Sequence, residues 1–243
     1  MSLKTPLSNE AEILEECQEI LGYRFNQVEL LRAALTHASG VQSRQDSNER
    51  LEFLGDSILG LICCEQLYLR FPDLQEGEMT KIKSVVVSRP TCASISAEMN
   101  LGSYLFLGRG VNWSIQNIPA NLLADVYESV LGAIYLDGGL GPAREFAMRH
   151  LSSLIDQVAS SDMKNNAKSL LQQLAQKEYG STPEYVLLDE NGPDHSKCFK
   201  IAAVVHRRAF AGAWGKNKKD AEQRAAMNAL AELKGEQVPF QND

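Results

Sequence analysis

Cysteine is scarce in this chain and forms no framework. Its five cysteines, Cys17, Cys63, Cys64, Cys92 and Cys198, are odd in number and never spaced C-x-x-C. That argues against a disulfide scaffold or a zinc finger and points to a reducing compartment. Long apolar runs are missing too. No stretch approaches the roughly 18 apolar residues that cross a bilayer, and the opening MSLKTPLSNEAEILEE is too polar and acidic for a leader peptide. A soluble, cytoplasmic protein with no membrane partner is the expectation. Internal repeats and interpretable low-complexity tracts are also absent. What the chain does have is 243 residues with 44% hydrophobic content, enough for one large or two modest domains with a real core. Disorder along its whole length is thereby excluded.

Charge is divided unevenly. Residues 1–160 hold 12 Lys and Arg against 20 Asp and Glu, whereas residues 161–243 hold 12 against 11. An acidic body repels a polyanion, so a nucleic-acid partner requires a basic local patch or bound cations.

Hydrophobic periodicity gives the organisation. The first part reads as helices over Ala11 to Leu21, Gln27 to Thr36, Asn48 to Tyr68, Gly77 to Ser88, Thr91 to Met99, Ala120 to Leu136 and Ala143 to Ala159, with no clear strand pattern. The polar stretch 159–166 reads as a linker, and 110–119 as a loop. Beyond the linker come a helix (Lys168 to Glu178), three strands (Glu184 to Asp189, Cys198 to Val205, Arg208 to Trp214) and a last helix (Lys218 to Leu233). The expectation is an all-α domain over 1–158 followed by a small α+β layer (α-β-β-β-α) over 167–243.

Two helices of the first domain carry acids at helical spacing. Glu49, Glu52 and Asp56 stand at i, i+3 and i+7, within roughly 60° of one another around a helix. Phe53, Leu54, Ile58 and Leu61 are the predicted buried face of that helix. Asp125 and Glu128 lie one turn apart in a mostly apolar run, and Gly60 and Gly132 are the predicted points of close helix approach. Spacing alone leaves two readings open. The acids either coat a solvated surface or converge, and converging carboxylates raise one another's pKa unless a cation neutralises them. An all-oxygen donor set without histidine or thiolate favours Mg²⁺ or Mn²⁺ over zinc.

The run Asn48-Glu49-Arg50-Leu51-Glu52-Phe53-Leu54-Gly55-Asp56-Ser57 resembles the signature segment of bacterial ribonuclease III. The resemblance extends through Ala34-Leu35-Thr36-His37-Ala38-Ser39, Glu76-Gly77-Glu78-Met79, Leu123-Ala124-Asp125-Val126-Tyr127-Glu128 and Ile134-Tyr135-Leu136-Asp137-Gly138-Gly139. It continues into a segment similar to the double-stranded RNA-binding domain. The likeness implies a metal-binding cluster of Glu52, Asp56, Asp125 and Glu128, with Asp56 and Glu128 catalytic, and supporting roles for Glu49 and Glu76. His37 belongs to a motif that is structural in the family. The implied activity is hydrolysis of double-stranded RNA by a homodimer, giving 5′-phosphate and 3′-hydroxyl ends with two-nucleotide 3′ overhangs, in ribosomal and messenger RNA processing. Leu54, Ile58 and their neighbours are candidates for the dimer surface or for the protomer core.

In the second domain Leu171, Leu174 and Ala175 mark a packed face and leave Gln172 and Gln176 on another, where amides can bond 2′-hydroxyls without demanding one base. By resemblance Gln172 and His195, the latter in the turn after Asn191-Gly192-Pro193, contact the RNA minor groove. Lys216, Lys218 and Lys219 gather at a helix start, where unpaired N–H groups already favour phosphate. Asn217 stands where serine is commoner in the family, and is itself a good helix cap. Cys198 replaces a frequent basic residue. A non-catalytic double-stranded RNA-binding regulator is the rival reading; its mark is loss of a cluster acid, and none is lost. A small-molecule phosphohydrolase leaves the RNA-binding module without a purpose.

Overall fold

Capping chemistry sets several helix starts in the first half of the chain. The computed structural model describes residues 10–108, 111, 117–193 and 196–240, with backbone only over 162–165. The chain divides into two units, Met1–Val158 and Ala159–Asp243. In the first, the helices are α1 (Glu10–Leu21), α2 (Val28–Ala34), α3 (Glu49–Arg70), α4 (Glu76–Val86), α5 (Arg89–Glu98), α6 (Ala120–Gly138) and the start of α7 (Leu140–Tyr179). Before α5, the Ser88 side chain accepts from Thr91 N–H, with Pro90 in the first turn. Before α4, Gln75 and Glu78 form a reciprocal capping box. Most of the loop predicted at 110–119 lies outside the described residues.

Around α6 the first unit builds its core. Every residue from Val126 to Ile134 is buried, as suits a helix that is apolar nearly all round. Its end is tied down by Asp137, which accepts from the backbone N–H groups of Asn26 (2.9 Å) and Gln27 (2.8 Å) and from the Tyr23 hydroxyl (2.7 Å). One motif aspartate thus joins the end of α6 to the start of α2.

Helix α3 packs on α6 through Leu51, Gly55, Ile58, Leu59 and Ile62, a stripe at i, i+4, i+7, i+8 and i+11. Two sequence expectations change here. Phe53 is 79% and Leu61 52% exposed, because both lie off that stripe, whereas Ile58 is in the core and Leu54 is half-buried. The close-approach glycine of α3 is Gly55 rather than Gly60. A Cβ on Gly55 would stand 1.8 Å from the Glu128 carbonyl oxygen, and one on Gly132 2.5 Å from the Leu51 oxygen. At Gly60 the nearest atoms belong to the Lys83 side chain at 3.7 Å, an ordinary contact.

Residues 159–166, read as a linker, have helical backbone within α7. No proline or glycine stands between Pro142 and Gly180 to stop that helix. The last part of α7 supplies Ala167, Leu171 and Ala175 to the core of the second unit; of the predicted face, Leu171 and Ala175 are buried and Leu174 is half-buried. The antiparallel strands β1 (Glu184–Asn191) and β2 (Cys198–Val205) pair from Glu184↔Val204 to Asn191↔Cys198. The third predicted strand is interrupted. Both β3 (Arg208–Ala209) and β4 (Ala213–Gly215) pair with β2, but α8 (Lys218–Lys234) captures the backbone between them. Glu232 accepts from Ala211 N–H (2.8 Å), and the buried Asn228 amide donates to the Ala211 carbonyl (3.1 Å). The helices pack on one face of the sheet through Ile201, Ala203, Val205, Ala221, Ala225 and Ala229. No described helix of either unit is long and apolar enough to cross a membrane.

Candidate active site

Because α3 and α6 cross at two glycines, their acids meet at one rim of the first unit. Glu52 and Asp56 flank Gly55 on α3, and Asp125 and Glu128 approach from α6. Glu128 is buried at 5% exposure, the Glu52 and Asp125 side chains retain 21% and 20%, and Asp56 is exposed. Burial, reinforced by the negative charges of Asp56 and Glu52, pushes the Glu128 carboxyl up to about 7. Burial also raises the Glu52 carboxyl, helped by Asp125, and raises that of Asp125. The other three predicted cluster acids, Glu52, Asp56 and Asp125, are therefore within electrostatic reach of Glu128.

Two further side chains complete this rim. Arg89, at the start of α5, places Nη2 3.1 Å from Glu52 Oε1 and Nη1 3.1 Å from Asp125 Oδ1. It pulls the Glu52 and Asp125 carboxyls downward, against burial. Cys92, buried on the same helix, lies against Glu128; burial and that carboxylate push its thiol up to about 12, so it stays protonated. Neither residue stands out in the sequence. The available signal for Arg89 is that a cation in the first turn of a helix opposes the macrodipole and calls for an acidic partner.

The donor set consists of oxygens, and the buried Oδ1 of Asp125 lacks a well-aligned hydrogen bond despite its closeness to Arg89. Both features fit a hard divalent cation. The cage is open as it stands: among the described residues no three His, Cys, Asp or Glu side chains are already gathered to grip an ion. Glu49 lies one turn before Glu52, adds to its negative surroundings and pairs with Arg44 at 2.7 Å. Glu76 sits in the first turn of α4 and accepts from the Thr80 hydroxyl at 2.9 Å. His37 Nδ1 accepts from Ser39 N–H (3.2 Å) at a short 3₁₀ turn.

In the second unit Gln172 and Gln176 are exposed beside the buried Leu171 and Ala175. Lys216, Lys218 and Lys219 are exposed at the start of α8, where the Asn217 side chain accepts from Asp220 N–H (2.9 Å). The Lys218 ammonium lies 5.5 Å from the centre of the Phe199 ring. A Cβ on Gly215 would stand 2.2 Å from the Ala221 nitrogen, so glycine lets β4 touch the first turn of α8. Cys198 is exposed, and His195 lies outside the described residues.

Family models match both units: a ribonuclease-III-like model over residues 27–154 and a double-stranded RNA binding motif over residues 167–233. A protein named Ribonuclease 3 from Rhodopirellula baltica is 49% identical over 238 residues, covering 98% of this chain and 89% of its own. The chain belongs to the ribonuclease III family. A second relative of that name, from Symbiobacterium thermophilum, is 41% identical over 88% of this chain and 92% of its own. Among solved structures, the nuclease domain of ribonuclease III from Campylobacter jejuni superposes with a TM-score of 0.53 at 33% identity, over 59% of this chain and 96% of that one. Membership of the ribonuclease III family makes this protein an endoribonuclease acting on double-stranded RNA, and implies a divalent metal cofactor. The four acids and Arg89 lie within the nuclease match, and Gln172 and the lysines within the RNA-binding match.

Proposed function

We propose that this protein is a Mg²⁺-dependent, homodimeric endonuclease that cuts both strands of duplex RNA in the maturation of ribosomal and messenger RNA precursors. The products carry 5′-phosphate and 3′-hydroxyl ends with two-nucleotide 3′ overhangs, and the protein works in the cytoplasm. The observation that carries this reading is the buried Glu128 carboxyl, pushed up to about 7 among three other acids. Burying such a group without a partner is costly, and a divalent cation compensates it.

Glu52, Asp56, Asp125 and Glu128 hold Mg²⁺, with Mn²⁺ able to substitute. When bound, divalent cations supply the charge neutralisation and water activation that phosphodiester hydrolysis needs. The protein does the rest. Glu128, whose carboxyl is pushed up to about 7 by burial, would hold the cation as its carboxylate. Cys92 donates toward the Glu128 carboxylate and orients it, and the Gly55–Gly132 crossing keeps Glu52 and Asp125 opposite each other. Glu49 and Glu76 have supporting roles. Residues 1–158 carry catalysis and dimerisation, residues 167–243 bind RNA, and 159–166 joins them. Gln172 and His195 reach minor-groove 2′-hydroxyls, while Lys216, Lys218 and Lys219 meet phosphates across the major groove.

The dimer reading is supported by Phe53, which is 79% exposed beside an open cleft lined by Leu30, Ala33, Leu54 and Leu136. An aromatic side chain next to an apolar cleft suits a second copy of the same surface. The Campylobacter jejuni nuclease domain is itself described by a region involved in dimer formation.

The test is a long, end-labelled RNA duplex incubated with full-length protein and Mg²⁺, its products mapped for size and end chemistry. Short duplexes with 5′-phosphates and 3′ overhangs are expected, and chelation should stop cleavage while leaving binding. Duplex bound but intact under saturating enzyme and Mg²⁺ overturns the catalytic assignment and leaves a non-catalytic binder.

A further inference from the structure

Arg89 occupies an adverse place for a cation. It is the first residue of α5, where the helix dipole presents its positive end. Two carboxylates on other helices hold it there: Glu52 on α3 and Asp125 on α6, each 3.1 Å from a different nitrogen of one guanidinium. The planar fork thus spans both acids, whose carboxyls also lie within hydrogen-bond reach of each other.

The bridge is close but incomplete. Although Nη1 lies 3.1 Å from Asp125 Oδ1, that buried oxygen is left without a well-aligned hydrogen bond. The Arg89 side chain is 59% exposed, against 21% for Glu52 and 20% for Asp125, so it sits on the solvent side and has room to leave. A divalent cation binds carboxylate oxygens at about 2.1 Å. With the guanidinium still on the same two acids, two positive charges would stand a few ångströms apart and compete for the same lone pairs.

We infer that Arg89 is an exchangeable counter-ion: it neutralises Glu52 and Asp125 when no divalent cation is bound, withdraws when one binds, and thereby sets the concentration at which the site loads. This rests on the assignment of these acids to a divalent cation in the proposed function. Arg89 is a positioning residue, and its effect is on metal affinity.

The experiment is calorimetric titration of Mn²⁺ into full-length protein without RNA, paired with thermal melts at zero and saturating Mn²⁺. Wild type is compared with Arg89→Gln, Arg89→Lys and Asp125→Asn. Arg89→Gln should bind Mn²⁺ about three- to tenfold more tightly, as expected for removing one nearby, partly screened charge. It should melt earlier than wild type without cation and match it at saturation. Arg89→Lys, whose ammonium cannot span both acids, should show a smaller gain and serves if the glutamine variant folds poorly. Unchanged affinity, with an equal melting loss at zero and saturating Mn²⁺, would make Arg89 a simple staple between helices and overturn the inference. Should wild type give no binding heat that Asp125→Asn removes, the cation assignment itself falls and the role of Arg89 with it.

Discussion

The acidic rim of the first unit and the lysine patch of the second are built by opposite means. Lys216, Lys218 and Lys219 are neighbours in the chain, fanned out by one helix start that Asn217 caps, and they stay in water. Glu52, Asp56, Asp125 and Glu128 come from two helices whose backbones touch, and Glu128 is driven into the protein. Long-range attraction for a polyanion needs only exposed like charges. Gripping a small cation requires anions to be forced together against their repulsion, and packing energy supplies that force. A glycine mediates close contact in both units, Gly55 at a helix crossing and Gly215 against a helix start.

This contrast can be broken most severely at Gly55. Gly55→Ala puts a methyl 1.8 Å from the Glu128 carbonyl oxygen, a backbone atom that cannot turn away. We expect a loss of about 3 kcal/mol or more in urea unfolding and loss of cleavage. Gly60→Ala on the same helix, where the nearest atom is 3.7 Å away, should instead gain up to about 1 kcal/mol.

Asp125→Asn removes one charge while keeping the shape. Cleavage of a labelled duplex should fall at least about 100-fold, with binding in a gel-shift assay unchanged. A parallel loss of binding would show that the rim holds RNA rather than cations.

The pH dependence of the cation-free protein sharpens the difference further. The folded Glu128 carboxyl lies near 7 against an ordinary 4.5, so between these values the folded state keeps a proton that the unfolded chain has released. Its contribution to stability is therefore full below about 4.5 and lost as pH rises through about 7. Denaturant melts in the presence of a chelator should show that decline, and Glu128→Gln should flatten it.

The smallest effect is expected at the patch. Replacing Lys218 and Lys219 by alanine should weaken binding to every duplex sequence alike. For each phosphate that is no longer neutralised, the slope of log affinity against log salt should become shallower by about 0.7 to 0.9. A sequence-selective loss would contradict a phosphate role.

Much of the helical scaffold is legible in the string, because the helices themselves and the buried Leu171 and Ala175 follow from residues one turn apart. The spacing of Glu52 with Asp56, and of Asp125 with Glu128, is legible for the same reason. The outward direction of Phe53 and Leu61 is not: hydrophobic character alone does not say which of several apolar flanks of α3 meets α6. Sequence spacing favours Gly60, which lies on the side of Glu52 and Asp56, and the packing stripe selects Gly55 instead. The break in the third strand escapes notice because its cause, Glu232 and Asn228 reaching Ala211, comes from the far end of the unit. Residues 159–166 look like a spacer by polarity, yet they contain no helix-breaking residue.

Turn-range chemistry written along the chain suffices for the helices, the caps, the two acidic pairs and the lysine-bearing helix start, since each involves residues within a few positions. Which acid is buried, and that one guanidinium from α5 stands between carboxylates of α3 and α6, are settled by how the folded helices cross. Those groups are far apart in the chain. Their charges and solvation take final values once Gly55 and Gly132 let the backbones close and water is squeezed from the rim.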